Sequence, residues 1–227
     1  MAKLSVIIPS RDRPESLRRA IESVLGTQGE HDVEIVVVLD EPDQASQTMI
    51  EGLQSAEIKT VVVGGEYLGW SQDKYNIGYA NCRQQSEWIV TMADDCELDR
   101  PGWIDAALKV NKKGFVGLYC GDRPADTFAG LYMATRHYID TVMEGLVGLP
   151  WYHVWCADME WCERAKGADA FVVCQEAHYI HHRDAIPVKQ RDHIYKMASQ
   201  WYAEDLKTYG RLLKGKFDKK LRYVPTR

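Results

Sequence analysis

The 227-residue sequence has no run of about 18 uncharged apolar residues, so no membrane-spanning helix is expected. The start, Met1-Ala2-Lys3-Leu4-Ser5, enters a short strand-like run with no apolar signal core before it, and a cytoplasmic location is expected. Cys82, Cys96, Cys120, Cys156, Cys162 and Cys174 are scattered with no Cys-x-x-Cys pair. That pattern suggests neither a disulfide framework nor a zinc ribbon and leaves buried or half-buried thiols. Neither Gly-x-x-x-x-Gly-Lys-Ser/Thr nor Gly-x-Gly-x-x-Gly occurs, which removes the main support for kinase and dinucleotide-dehydrogenase readings. There is no internal repeat and no low-complexity linker. With 45% hydrophobic and 27% charged residues, the chain is neither disordered nor collagen-like and suits one globular domain.

Strand-like and helix-like segments alternate through the first hundred residues. Leu4 to Ile8 is β-branched and ends at Pro9, and Pro14-Glu15 opens a helix with Leu17, Ala20, Ile21, Val24 and Leu25 on one face, closed by Gly26. Glu34 to Leu39 is a continuous apolar run, the pattern of a strand covered on both faces. A helix over 44–53, a strand over 59–63, a break at Gly64-Gly65, a helix over 72–85 and a strand over 88–92 follow. This order predicts a mostly parallel, doubly wound α/β sheet, whose ligands bind outside the carboxyl ends of the strands. Pro9-Ser10-Arg11-Asp12, Leu39-Asp40-Glu41 and Ala93-Asp94-Asp95 are thereby expected at one crevice. Further on, strands over 115–119, 128–134 and 170–174, a helix over 157–165 and a long helix over 190–213 are expected.

Three clusters carry chemistry. The adjacent carboxylates Asp94 and Asp95 repel each other unless a cation relieves them, and Mg²⁺ or Mn²⁺ with a substrate phosphate is the usual relief. Asp158 and Glu160 lie beside the aromatic stretch Trp151-Tyr152-His153-Val154-Trp155, where a carboxylate can act as general base. An N-cap role for Asp158 fits equally well. His178, His181 and His182 match no common zinc spacing, and one imidazole completing an oxygen-rich metal site is the better reading.

Taken in order, these pieces resemble the family 2 glycosyltransferases of GT-A fold over roughly residues 3–182. The block from Leu4 to Arg13 looks like the opening strand and loop of the donor site. Glu34–Asp40 is similar to the second strand, whose last Asp contacts uracil. Tyr75-Asn76-Ile77-Gly78 followed by Trp88–Asp95 resembles the Arg-Asn-x-Gly helix and Asp-x-Asp strand. Ala157–Trp161, with Arg164 and Gly167, resembles the Glu-Asp-x-Asp segment. The resemblance implies Asp158 as catalytic base, and Pro9, Ser10, Arg11, Asp12, Asp40, Lys74, Asn76 and Asp94 at the donor nucleotide. It implies Asp95 with His181 or His182 at the metal, and Gly130, Trp155, Glu160 and Trp161 on the acceptor side. Ala93, Tyr75 and Ala157 depart from the family pattern, which leaves metal ligation mainly to Asp95 and the diphosphate cation to Lys74. The implied activity is metal-dependent, inverting transfer from a UDP-sugar to an acceptor hydroxyl, with Mn²⁺ or Mg²⁺.

The acceptor is read from charge. Residues 183–227 hold 12 Lys/Arg against 5 Asp/Glu, whereas residues 1–182 hold 16 against 28. A boundary near Arg183 is expected, dividing a domain over 1–182 (nucleotide-binding half 1–100, acceptor-side half 101–182) from a basic helical extension. With Tyr195, Trp201, Tyr202 and Tyr209 interleaved, that extension suits an anionic partner, DNA or a phosphorylated substrate, and no amphipathic membrane anchor is evident. A small transferase with such a tail is similar to phage enzymes that glycosylate hydroxymethylated pyrimidines in DNA. Glycan, lipid and protein acceptors share the same chemistry. A sugar-phosphate nucleotidyltransferase and a non-catalytic nucleotide-sugar binding module stand as alternatives of another class.

Overall fold

The computed structural model describes residues 1–64, 71–121, 127–185 and 192–215. Its centre is the parallel pair β1 (Lys3–Ser10) and β2 (Asp32–Asp40). Leu4, Val6 and Ile8 of β1 and Val33, Ile35, Val37 and Leu39 of β2 enter one core, while Ile7, Val36 and Val38 enter another. An unbroken apolar run produces this two-residue alternation when both faces of a sheet are covered.

The first core is closed by α1 (Pro14–Thr27), α2 (Gln44–Leu53) and α4 (Trp103–Val110). The second is closed by α3 (Ser71–Asn81), α5 (Arg136–Val142) and α6 (Ala157–Gly167). α3 lies so close to the sheet that a Cβ at Gly78 would come within 2.3 Å of Ile7 Cγ2, which explains a glycine inside that helix. The remaining strands are β3 (Ile58–Val63), β4 (Trp88–Thr91), β5 (Cys96–Leu98), β6 (Phe115–Tyr119), β7 (Leu131–Thr135) and β8 (Val173–His181), and the sheet order is β3-β2-β1-β4-β7-β6-β8-β5. The first four in that order are mutually parallel, whereas β7 and β5 run against their neighbours. These directions bring the carboxyl ends of β1, β2, β4 and β8 to one edge.

The mostly parallel doubly wound sheet is as expected, and several boundaries differ. α1 runs through Gly26 to Thr27, and α3 stops at Asn81 rather than at residue 85. Of the strand expected over 170–174 only Val173 and Cys174 lie in a strand; they open the longer β8, which takes in His178 and His181 and pairs with the short β5. The long C-terminal helix is two helices, α8 (His193–Ser199) and α9 (Tyr202–Lys214), preceded by the one-turn α7 (His182–Ala185). Asp192 starts α8 by accepting from Tyr195 N–H, and the chain turns at Gln200-Trp201 before Asp205 is buried. Asp158 is not the cap of α6: Cys156 holds that position at φ +69°, and Asp158 lies in the first helical turn. Gly65, Gln190 and the basic residues 216–227 lie outside the described residues. Among the described residues no helix is long and apolar enough to cross a membrane.

Candidate active site

Ser10, Asp40 and the Asp94-Asp95 pair meet at the shared carboxyl edge, each delivered by the end of a different parallel strand. Ser10 Oγ donates to Asp94 Oδ2 at 2.7 Å, and Arg13 Nη1 donates to Asp94 Oδ1 at 3.1 Å. Arg13 lies 4.0 Å from Asp95 Oδ2 through the same nitrogen and grips Asp192 with two 2.9 Å hydrogen bonds. Burial first, and then the neighbouring Asp95 charge, push the Asp94 carboxyl up to about 6. Asp95 is buried too, yet the interactions with His181, Tyr195 and Arg13 outweigh that burial and hold it well below the usual carboxylate range. The two adjacent acids are thereby pushed apart, Asp95 losing its proton well before Asp94.

Asp40, at the end of β2, receives Arg11 Nε and Lys74 Nζ, the latter at 2.5 Å, both on Oδ2. Its Oδ1 is buried and, among the described residues, accepts no hydrogen bond. Burial lowers the Lys74 pKa against the opposing pull of Asp40. Asp12 stands at φ +52°, its N–H donating to Asp43 Oδ2 at 2.8 Å, while Asp43 Oδ1 caps α2 through Ser46 N–H. Asp43 thus ties the loop after β1 to the loop after β2, a role the sequence reading did not assign. Pro9 is buried in β1.

His181 and His182 part company. His181 Nε2 lies 3.5 Å from Asp95 Oδ2, whereas the His182 ring turns to Glu97 Oε2 at 2.7 Å. The register Cys96↔His181 in the β5–β8 pair places His181 beside the acidic pair. Donor atoms of Asp95, Cys96 and His181 all lie within 4.8 Å of one another. Burial drives the Cys96 thiol well above its ordinary pKa, which favours the neutral thiol and makes it the weakest ligand of the three. An ionised carboxylate and an imidazole fit a hard or borderline cation such as Mg²⁺ or Mn²⁺ better than a thiolate-seeking one.

Residues 5–145 match the model of glycosyl transferase family 2. The chain belongs to glycosyl transferase family 2, a family of transferases. The family match contains Ser10, Asp40, Asp94 and Asp95 but ends before Asp158 and His181. Among solved structures, the family-2 chain is similar to the mannosyltransferase PcManGT of Pyrobaculum calidifontis, solved with GDP-Man and Mn²⁺, at 15% identity and TM-score 0.70, covering 93% of this chain and 64% of that one. It is similar to S. aureus TarS 1-349 in complex with UDP-GlcNAc at 14% identity and TM-score 0.60, covering 82% and 62%. It is also similar to the glucosyl-3-phosphoglycerate synthase of Mycobacterium tuberculosis, solved with Mn²⁺, UDP and glucosyl-3-phosphoglycerate, at 14% identity and TM-score 0.62, covering 92% and 80%. At these identities the likeness is one of fold, GT-A, and the chain spans less than two thirds of the PcManGT and TarS chains. No curated protein sequence matches the chain.

The other candidate residues of this family-2 chain are held as follows. Asp158 accepts from Met159 N–H at 2.9 Å on Oδ1, within the first turn of α6. Tyr75 Oη donates to Met92 O at 3.2 Å, and desolvation raises its pKa well above the ordinary value. Asn76 uses its amide on the 147–148 loop, accepting from Val147 and Gly148 N–H and donating to Gly148 O, all at 2.9 Å. Glu160 is fully buried, with Trp151 Nε1 (2.9 Å) and Tyr152 Oη (2.8 Å) on Oε2 and Arg164 Nε (2.7 Å) on Oε1. Trp161 is a core residue against Tyr132, and a Cβ at Gly130 would come within 2.7 Å of Tyr179 Oη. Trp155 Nε1 donates to Ala198 O at 2.8 Å, joining the segment before α6 to α8.

Two parts of the site come from the C-terminal segment and were not read from the sequence. Tyr195 Oη donates to Asp95 Oδ2 at 2.6 Å, with Arg13 Cζ 4.0 Å above its ring. Asp205 is fully buried and accepts the N–H groups of His153, Val154 and Trp155 at 2.8–3.0 Å, with His153 Nδ1 at 2.9 Å. The signal available was an acidic residue inside an otherwise basic segment, which a hydropathy pattern cannot tell from a solvated one.

Proposed function

We propose that the chain is a divalent-metal-dependent glycosyltransferase that moves a sugar from a UDP-sugar to an acceptor hydroxyl with inversion at the anomeric carbon. The observation that carries this reading is the meeting of Asp95 Oδ2 and His181 Nε2, 3.5 Å apart and drawn from opposite halves of the chain, at the carboxyl edge of the sheet. The neighbours solved with GDP-Man and Mn²⁺, with UDP-GlcNAc, and with Mn²⁺ and UDP support the same class.

Charge matching supports the need for metal. Arg11 and Lys74 already face Asp40, and Arg13 already faces Asp94 and Asp192, so among the described residues these three cations of the crevice are matched by carboxylates. A nucleoside diphosphate brings more negative charge than these matched pairs can offset. Asp95 and His181 would hold the cation, which when bound supplies charge neutralisation for the departing diphosphate. Asp40 Oδ1, buried and accepting no hydrogen bond among the described residues, suits the N–H of a uracil ring.

Asp158 acts as general base. It lies in the N-terminal turn of α6 with the Met159 N–H on Oδ1, and it takes the proton of the acceptor hydroxyl. The acceptor oxygen forms its bond to the anomeric carbon as the bond to the diphosphate oxygen breaks, and UDP leaves with that electron pair. Asp158→Asn is expected to cut transfer by ~10²–10⁴-fold with UDP binding retained. Equal loss of UDP binding would overturn the base assignment.

The acceptor is read as an anionic molecule or assembly, with hydroxymethylated DNA the first example to test. Asp192 and Asp205 lie in the basic segment, but the first is paired with Arg13 and the second is buried, so neither offsets its exposed positive charge.

A further inference from the structure

Helix α9 turns three different faces outward and inward. Asp205 and Leu212 are buried, whereas Tyr202, Leu206 and Leu213 are 51%, 43% and 43% exposed. At 3.6 residues per turn these three fall within roughly 40° of one another, and Lys207, Arg211 and Lys214 lie roughly 80–140° further round the helix, past Gly210 and Ala203. All three cations are exposed, and among the described residues none forms an ion pair. The stripe continues onto the body of the protein, where the Tyr202 ring stands edge-on to Trp155 at 5.6 Å and Arg183 Cζ lies 5.3 Å from the Trp155 ring centre. No amphipathic anchor was evident from the sequence, because the expected single helix over 190–213 hid the break at Gln200-Trp201 and with it the true phase of α9.

Single exposed leucines are ordinary on protein surfaces, but an aromatic and two leucines on one stripe, with the cations on the polar face beyond it, form the pattern of a helix lying in a membrane interface. A nucleic-acid groove rewards the cations and leaves the leucines in water. A second copy packed on the same stripe would bring Lys207, Arg211 and Lys214 of both chains together. The sequence beyond α9 adds Lys216, Lys219, Lys220, Arg222 and Arg227 against Asp218, charge of the sign that an anionic surface attracts. We propose that α9 docks this protein on an anionic phospholipid surface, with Tyr202, Leu206 and Leu213 at the boundary of headgroups and acyl chains and Lys207, Arg211 and Lys214 on the lipid phosphates. The docking rests on α9 and Trp155 and does not depend on the sugar-transfer reading.

The test is co-sedimentation of the full chain with phosphatidylcholine vesicles and with equimolar phosphatidylcholine–phosphatidylglycerol vesicles, alongside duplex DNA followed by anisotropy. Neither readout involves a donor or turnover, so its failure is distinct from failure of the transferase reading. Binding is expected to the anionic vesicles alone. Leu206→Ser/Leu213→Ser and Lys207→Gln/Arg211→Gln/Lys214→Gln should each weaken it roughly tenfold or more, with unchanged melting temperatures. If the double leucine variant melts lower, Leu206→Ser alone serves, with the same direction expected. Absence of vesicle binding, vesicle binding indifferent to the leucines, DNA binding in place of vesicle binding, or a dimer that the leucine substitutions dissociate would each overturn the proposal.

Discussion

The hydroxyl of Tyr195 donates a 2.6 Å hydrogen bond to Asp95 Oδ2, so a residue of the basic C-terminal segment holds the carboxylate best placed to bind metal. The contact is short and charge-assisted, and the same oxygen lies 3.5 Å from His181 Nε2. Groups that orient a metal ligand without touching the metal commonly change metal affinity by ~10–100-fold. Tyr195→Phe is therefore expected to weaken Mn²⁺ binding within that range, read by Mn²⁺ titration, and to lower the melting temperature of the metal-free protein by a few degrees. Unaltered Mn²⁺ affinity would separate Tyr195 from the metal site.

Asp205 anchors the segment that enters α6. Removing its carboxylate strands three backbone N–H groups and His153 in a buried place, at a cost of about 3 kcal/mol. For a chain of this size Asp205→Ala should lower the melting temperature by roughly 6–12 °C. A shift under about 2 °C would mean that these donors find water instead.

The Asp94 carboxyl is raised to about 6 by burial and by Asp95, above the ordinary 3.8. Between those values the folded state holds a proton that the unfolded state has lost, so its contribution to stability is complete below about pH 4 and disappears as pH rises through about 6. Asp94→Asn imitates the protonated form without titrating. The variant should melt close to wild type at pH 4 and several degrees above it at pH 8. A difference independent of pH would show that Asp94 titrates in its ordinary range.

Metal removal separates the two cation sets. With Arg11, Lys74 and Arg13 already matched by carboxylates, chelation by EDTA should abolish UDP binding, and Asp95→Asn should do the same in the presence of Mn²⁺. UDP bound equally well with EDTA present would contradict the charge matching.

The sequence shows its architecture most clearly where one local pattern decides it. The apolar run Glu34–Leu39 can serve only a strand covered on both faces, and α2 begins at Gln44 because Asp43 caps it. The edge carrying Ser10, Asp40, Asp94 and Asp95 follows from strand order alone. What stayed hidden depends on distant parts of the chain. β5 has three residues, too few to show alternation, yet its pairing with β8 decides that His181 rather than His182 approaches Asp95. Asn76, read from the resemblance as a donor contact, has its amide committed to the 147–148 loop, and Glu160, read as acceptor-side, is enclosed by Trp151, Tyr152 and Arg164. Tyr195 and Asp205 act through contacts across the fold that no periodicity records.

Melting of the full chain with UDP, GDP, CDP and ADP, each with and without Mn²⁺, tests the central claim most directly. The account predicts a rise confined to UDP with Mn²⁺, worth ~2.7 kcal/mol at a hundredfold excess over Kd and so roughly 5–10 °C. No rise with any nucleotide, or an equal rise for UDP without metal, would contradict a metal-dependent UDP-sugar site at Asp40, Asp95 and His181.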